Sequence, residues 1–412
     1  MAVMQLVRRA SVVTSLLALA ACNFFDVENP GPIPDDELNQ PLAMTSLVTG
    51  MSFDLSRALD ELNYDVTVMA DEQYHSGSYA APGLFVRGII RPEDVNDEWG
   101  EAHRARYVAE SGIERMKTVM GADFDKSSLG ARAYLYAGFA NRLLGENMCQ
   151  AVFDGSAPED NKVHFSRAET QFTEALRIAS TLTGGLRDSL SRAAYAGRAS
   201  VRAWQGKWSE AVTDAQQVPI NYVFVAFFST NTTAENNQLV VETNTRREFT
   251  VYNTQWAQVF KDPRVPWDTI KTTGGAIQTG QDGRTPFFRQ RKYVGNGADV
   301  PLVKGTEMLL LRAEAALRNN DVTTAMQLIN TQRTFYGTSA NPLPPLAAAT
   351  VAEAWPILEK ERGAALWLEV RRFWDLRRWN AEPPPIKNTF LNNRDKCIPI
   401  SENERQSNPN VR

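Results

Sequence analysis

From Phe165 to Ala179 the chain sets Phe165, Ala168, Phe172, Ala175, Leu176 and Ala179 at i, i+3, i+4 and i+7 positions. Only an α-helix gathers that spacing onto one apolar face. Ala131, Leu135, Gly138 and Phe139 make a matching face upstream, and the arrangement returns twice. Leu190, Ala194, Gly197, Val201 and Trp204 run to a break at Gly206, after which Trp208, Ala211, Val212 and Ala215 resume. Leu310, Ala313 and Leu317 run to Asn319-Asn320, where Asp321 is placed to cap a helix carrying Val322, Ala325, Met326 and Ile329. A stripe of this width must be buried, and a second helix of similar length close by in sequence is the nearest partner. Alanine and glycine at the crossing points let the two backbones approach. The chain is therefore expected to be mainly α, built from helical hairpins. A further helical pattern begins near Leu42, Leu47 and Val48 after Asp35-Asp36, and a longer one runs from about Met51 to Ala70.

Two stretches break this pattern. Asp71 to Asp97 carries Gly77, Pro82, Gly83, Gly88 and Pro92 and reads as an irregular excursion. Ile220 to Lys304 has the apolar run Tyr222 to Phe228, a second strand candidate at Leu239 to Glu242, and loops marked by Gly274-Gly275, Gly280, Gly283, Gly295 and Gly297. Long loops of ordered composition are where recognition residues concentrate.

At the start of the chain, Arg8-Arg9 and an apolar run from Ala10 lead to Leu19-Ala20-Ala21-Cys22. The run is about half of the roughly 20 apolar residues that span a bilayer, so it reads as an export signal. Leu-Ala-Ala-Cys resembles the bacterial lipobox, which predicts acylation of Cys22 and removal of residues 1–21. Asn23 to Pro34, with three prolines and Gly31, is then a flexible tether. Without the signal the chain keeps 42 basic against 48 acidic residues and no basic cluster, which argues against a nucleic-acid partner. Cys149 and Cys397 remain as an even pair in an oxidising compartment, either bridged or buried as separate thiols.

The three histidines, at 75, 103 and 164, form no metal-binding motif, and no nucleophile elbow or phosphate-binding loop is present. No metal and no cofactor is expected. The charge-rich stretch from Glu361 to Trp379 reads as a structural helix threaded with ion pairs, Glu369 with Arg372 and Asp375 with Arg378. Trp99, heading another helical pattern, reads as structural.

That same stretch, from Glu361-Arg362 through Leu366, Glu369, Arg372 and Asp375 to Arg378-Trp379, resembles the C-terminal signature of the starch-utilisation SusD/RagB family of outer-membrane nutrient-binding lipoproteins. Glu307 to Ala315, Asp262-Pro263-Arg264, and Ile398-Pro399-Ile400 through Glu404 to Asn408-Pro409 resemble other family segments in the same order. Ala365 stands where the family usually has glutamate, and Val370 where it usually has glycine. The resemblance implies a tetratricopeptide-like helical-hairpin body with an inserted loop and short-strand variable region. It implies a lipid-anchored, surface-facing outer-membrane protein that docks as a lid on a SusC-like TonB-dependent transporter and binds an oligosaccharide or a peptide. The divisions would be a signal at 1–21, a tether at 22–34, an N-terminal helical part at 35–219 with its excursion at 71–97, the variable region at 220–304, and C-terminal hairpins at 305–412.

A sugar needs flat apolar surface for its ring faces and planar polar groups for its hydroxyls. Tyr74, His75, Tyr79 and Phe85, near Asp71 and Gln73, and Asn253, Trp256, Arg264, Trp267 and Tyr293 are the candidates; for each aromatic, core packing is an equal alternative. Two other functions stay open at this stage: a periplasmic tetratricopeptide scaffold for envelope assembly, and a glycan hydrolase using unassigned carboxylates.

Overall fold

A computed structural model describes residues 37–259 and 262–411. The signal, Cys22, the tether and Asp35-Asp36 lie outside the described residues. The chain divides into two units, Met1–Ala43 and Met44–Arg412. In the first, the described residues form two short 3-10 turns, Glu37–Asn39 and Pro41–Ala43, with Leu42 fully exposed instead of lying on a buried helical face.

The second unit is mainly helical. Its helices are α1 (Met44–Met69), α2 (Ala80–Phe85), α3 (Asn96–Met120), α4 (Ser128–Asn147), α5 (Val163–Ala179), α6 (Gly184–Trp204), α7 (Trp208–Ala215), α8 (Gly305–Arg318), α9 (Val322–Tyr336), α10 (Val351–Ala365), α11 (Arg372–Asn380) and α12 (Glu402–Ser407). Helices α4 and α5, α6 and α7, and α8 and α9 pair as the stripes require, and α1 packs on α3 as a further pair. Successive pairs abut through α3 with α4, α5 with α6 and α7 with α8. The starts are fixed locally. Ser127 accepts from the Gly130 amide at 3.0 Å, Asp321 from Thr324 at 3.0 Å, and Thr350 with Glu353 closes a capping box.

Helix α7 touches α8 although the whole 220–304 region separates them in sequence. That region leaves and re-enters the body through one antiparallel stem, β4 with β8. Among the described residues the short strands are β1 (Tyr74–His75), β2 (Gln150–Ala151), β3 (Glu159–Asp160), β4 (Val223–Ala226), β5 (Phe249–Thr250), β6 (Trp267–Thr269), β7 (Phe288–Gln290) and β8 (Val300–Lys304). Among the described residues they pair only in twos: β1 with β5, β2 with β3, β4 with β8, β6 with β7. The first pairing sets Tyr74 opposite Thr250 and His75 opposite Phe249, so the two irregular stretches of the sequence form one structure.

The structure departs from two local expectations. Leu239 to Glu242 is a helical turn, Gln238–Val240, widening into Val241–Thr245, and not a strand. The Asp60 carboxylate, on α1, accepts the Gln238 amide at 2.8 Å, and Asn237 Oδ1 accepts the Val240 amide at 3.2 Å. Together they supply the cap a helical turn needs. The Glu361 to Trp379 stretch is not one helix either, because α10 ends at Ala365 and α11 starts at Arg372. Between them Leu368 and Val370 both take left-handed backbone, φ 57°. Glu369 consequently turns away from Arg372 and meets Lys292 at 2.5 Å and Lys304 at 2.6 Å, while Asp375 does pair with Arg378 at 2.9 Å.

Around this break the family-like segments lock together in a buried ion network. Arg362 reaches Asp375 at 2.6 Å, Arg371 reaches Glu307 at 2.9 Å and Glu146 at 3.2 Å, and Arg378 reaches Glu314 at 2.5 Å. Burial alone would lift the Glu314 carboxyl, but Arg378, Arg318 and Arg362 outweigh it and hold its pKa down to about 2. A carboxylate buried among this many guanidinium groups keeps its charge, and losing one partner would strand the other.

Candidate functional site

Helix α1 ends at Met69, and the chain turns outward through Asp71, Gln73 and Tyr74 before β1 pairs with β5. Just after β5, Asn253 takes φ 61° and carries the chain through Thr254 and Gln255 back toward Asp71. From the other end of the sequence come Arg372 at the first turn of α11, Glu359 on α10, and the segment Asn388, Thr389, Phe390 and Arg394. These three stretches enclose a cleft of about 540 Å³.

Its inner wall is fixed by charge. Arg372 grips Asp71 through two parallel bonds, Nε to Oδ1 at 2.8 Å and Nη2 to Oδ2 at 2.9 Å, and lies 3.4 Å from Glu359. Gln255 donates to the same Asp71 carboxylate, and Asn388 donates to Glu359. Burial lifts the Glu359 carboxyl above its ordinary range, against the pull of Arg372. Arg394 donates to the carbonyls of Phe85 and Val86 at 3.0 and 2.8 Å, its guanidinium stacks over Phe390 at 4.7 Å, and its Nε keeps no partner. The cleft thus offers carboxylate acceptors, amide and guanidinium donors, and the apolar surfaces of Tyr74, Val86 and Phe390.

The sequence candidates separate into three groups. Tyr74 and Asn253 line the cleft. Trp256, Phe85, Arg264 and Tyr293 are buried and stand outside its lining. The Trp256 indole lies under Arg372, 5.6 Å from the guanidinium, against Gly363, where an added Cβ would stand 2.5 Å from the ring. Arg264 pairs with Asp262 at 2.6 Å and Glu361 at 2.5 Å, so the Asp-Pro-Arg motif ties the variable region to α10. The Tyr293 hydroxyl reaches the Leu368 carbonyl at 3.3 Å, holding the left-handed break in place. These four have no room for direct ligand contact.

The third group lies elsewhere. His75 is half-buried in the β1–β5 pair, and burial lowers its pKa despite Glu248 and Asp282. Trp267 stacks on Phe288 at 4.7 Å and 10°, and Tyr252, beside Asn253 in sequence, meets Phe288 edge-on at 5.3 Å. Tyr79 faces a separate acidic cleft. Sequence reasoning passed over Arg372, Glu359, Gln255 and Asn388 to Arg394. Arg372 read as an ordinary helix charge, Glu359 lies just ahead of the charge-rich stretch, and the last segment follows a proline run with no motif of its own. Away from the clefts, Cys149 and Cys397 are joined by a disulfide, Cα to Cα 5.0 Å. Among the described residues no group of three His, Cys, Asp or Glu is placed to hold a metal ion.

Comparison with known proteins sets this geometry in context. Residues 217–412 match the SusD family. A SusD superfamily protein from Bacteroides fragilis superposes with TM-score 0.68 at 13% identity, over 90% of this chain and 98% of its own. A SusD superfamily protein from Bacteroides vulgatus gives 0.66 at 16%, again over 90% and 98%. A SusD-like carbohydrate binding protein from the same species gives 0.60 at 14%, over 82% and 83%. At these identities the structural likeness speaks for the fold. No curated protein matches the sequence.

Proposed function

We propose, from the premise that this chain belongs to the SusD/RagB family, that it captures an oligomeric nutrient in the cleft walled by Tyr74, Asn253, Arg372 and Phe390 and passes it on chemically unchanged. An oligosaccharide fits best. The observation that carries this reading is the convergence of planar polar side chains from three distant segments beside exposed ring surface, in a space of about 540 Å³. Sugars present hydroxyl pairs to carboxylates and guanidinium forks, and ring faces to aromatics. A structural neighbour is itself described as carbohydrate binding. Trp267 and Tyr252, on Phe288, would extend the apolar surface beyond Asn253.

The receiving partner would be a SusC-like TonB-dependent transporter of the outer membrane, with this protein as its surface-facing lid. Among the described residues no helix is long and apolar enough to cross a membrane, so attachment would rest on a lipid at Cys22.

Calorimetry of the full chain against a panel of oligosaccharides and oligopeptides tests the ligand class. At least one oligosaccharide should bind, and Tyr74→Ala and Gln255→Ala should each weaken it about tenfold, or about 1.4 kcal/mol, without lowering the melting temperature. Binding of peptides alone would redirect the ligand class. No binding at all, or full binding by both variants, would overturn the assignment of the cleft.

A further inference from the structure

Another cavity, of about 740 Å³, lies between α1 and α4 and is bounded by the loop that follows β4. Its walls follow from helix periodicity. On α1, Thr45, Thr49, Ser52, Phe53 and Ser56 recur at spacings of three and four and share one face, while Met51, Leu55 and Leu62 turn to the core. On α4, Ser128, Leu129, Arg132 and Tyr136 line the cavity at the same spacings. The loop after β4 adds Phe227 and Phe228. Glu235 holds that loop in shape: its carboxylate accepts from the hydroxyls of Ser229 and Thr232, and its carbonyl from the Ser229 amide at 2.9 Å.

Two observations distinguish this space from a gap in packing. The first is apolar. Phe53 is 37% exposed and Phe227 57%, so rings that a core would take stay uncovered on two of the walls. The second is polar. Among the described residues Arg132 makes no ion pair and no hydrogen bond, and the hydroxyl of Tyr136, a residue only 4% exposed, makes none either. Both groups stay open to the cavity instead of being sealed within the protein. They stand one turn apart, at i and i+4 on the same face of α4. The other charged groups of the lining are engaged. Arg57 pairs with Glu61 at 3.5 Å and Glu101 at 3.8 Å, and Glu235 is taken up by its own loop.

We propose that this cavity binds an organic acid, its carboxylate held by Arg132 and the Tyr136 hydroxyl and its apolar body laid against Phe53 and Phe227. A guanidinium has donors and no acceptor, a phenol has a proton to give, and an ionised carboxylate has acceptors alone. Their bonds are charge-assisted, and apolar walls strengthen them by excluding water. A neutral sugar would satisfy the rings but leave the guanidinium without a counter-charge. Two sources carry the required chemistry, an aromatic acid and a fatty acid. A space of this size admits either. The cavity shares no lining residue with the first cleft, so the proposal does not rest on the oligosaccharide reading.

The probes are 4-hydroxycinnamate and decanoate, each against its methyl ester, titrated calorimetrically into the full chain at about pH 7, where both acids are ionised. At least one acid should bind, its ester at least about tenfold more weakly. Arg132→Gln should bring the acid down to the level of its ester, and Tyr136→Phe should weaken the acid while keeping the ring in place. Neither should lower the melting temperature, since neither group has a partner in the protein to lose. Phe227→Ala should weaken acid and ester alike. Which acid binds identifies the source. Failure of both acids, esters that bind as tightly, or full binding by Arg132→Gln overturns the proposal. Tyr74→Ala in the first cleft should leave acid binding unchanged; a loss there would place the acid in the first cleft and overturn the proposal as well.

Discussion

Val370 is a β-branched residue held at φ 57° and 1% exposed, where its own side chain meets the backbone. The conformation is imposed from outside. Tyr293 and Asn63 both reach the neighbouring Leu368 carbonyl, at 3.3 Å each, and the Leu368 amide donates to Glu72 at 2.9 Å. Burial raises the Glu72 pKa to about 8, so at neutral pH it sits there mostly uncharged. Glycine would release about 1–2 kcal/mol of left-handed strain and forfeit a buried side chain worth a similar amount. Alanine would forfeit most of that burial and keep the strain. Val370→Gly is therefore expected to be more stable than Val370→Ala by about 1 kcal/mol, reversing the usual order of the two at a buried site. Urea denaturation of both variants decides it, and the ordinary order would show that the left-handed backbone at 370 sets no demand that glycine answers better. The sequence showed the valine as a departure at this position. It did not show the left-handed backbone behind it, because the groups that impose it come from Asn63, Glu72 and Tyr293, far away along the chain.

At the scale of elements, helices α4, α5 and α6 meet through one side chain. Phe172 on α5 fits between Gly138 on α4 and Gly197 on α6, where an added Cβ would stand 2.7 Å and 2.4 Å from its ring. Its edge meets Phe139 at a centroid distance of 5.0 Å. Glycine inside a helix is ordinarily replaced by alanine with a gain of about 1 kcal/mol. At Gly197 the ring is held on both sides and cannot retreat, so overpacking of about 1–3 kcal/mol should win. Gly197→Ala is expected to lower the melting temperature, whereas Gly185→Ala, where nothing lies within 4 Å, should leave it level or raise it. This contrast also marks what was legible in advance. Stripes with small residues at their crossings are local patterns, so the hairpins could be read directly. The turn at Gln238–Val240 could be read only in part, since Asn237 of its cap is local but Asp60 lies 178 residues away. The first cleft could not be read, because its central pair, Asp71 and Arg372, is separated by 301 residues. The preference for aromatics then led to Phe85, Trp256 and Tyr293, which the core uses, because a large ring satisfies a floor as well as a ligand.

At the largest scale, the second unit is closed by its C-terminal segment, which returns to the loop after α4. Met148 and Ile398 form a parallel bridge, the Cys149 amide donates to the Ile398 carbonyl at 2.9 Å, and the Ile398 amide donates to Asn147 at 2.9 Å. Arg377 donates to the Met148 carbonyl at 2.9 Å and Asn408 to the Ser156 carbonyl at 3.0 Å. The Cys149–Cys397 disulfide spans 248 residues at this junction, so its main effect falls on the unfolded chain, which loses the freedom of a very long loop. The paired variant Cys149→Ser/Cys397→Ser should keep its fold, since the backbone bonds remain, and lose about 2–4 kcal/mol. Its denaturation should also steepen, because an uncrosslinked chain exposes more surface on unfolding. Ligand affinity in the first cleft should not change. The wall from Asn388 to Arg394 is anchored separately, through Arg394 to Phe85 and Val86, the Asp395 amide to the Gly88 carbonyl at 2.8 Å, and the Ile90 amide to Asp395 at 2.7 Å. Equal stability of the oxidised protein and the variant, or a native protein that titrates with two free thiols, would show that the backbone junction alone closes the molecule. A variant that loses stability and affinity together would show instead that the cleft depends on the same closure as the body.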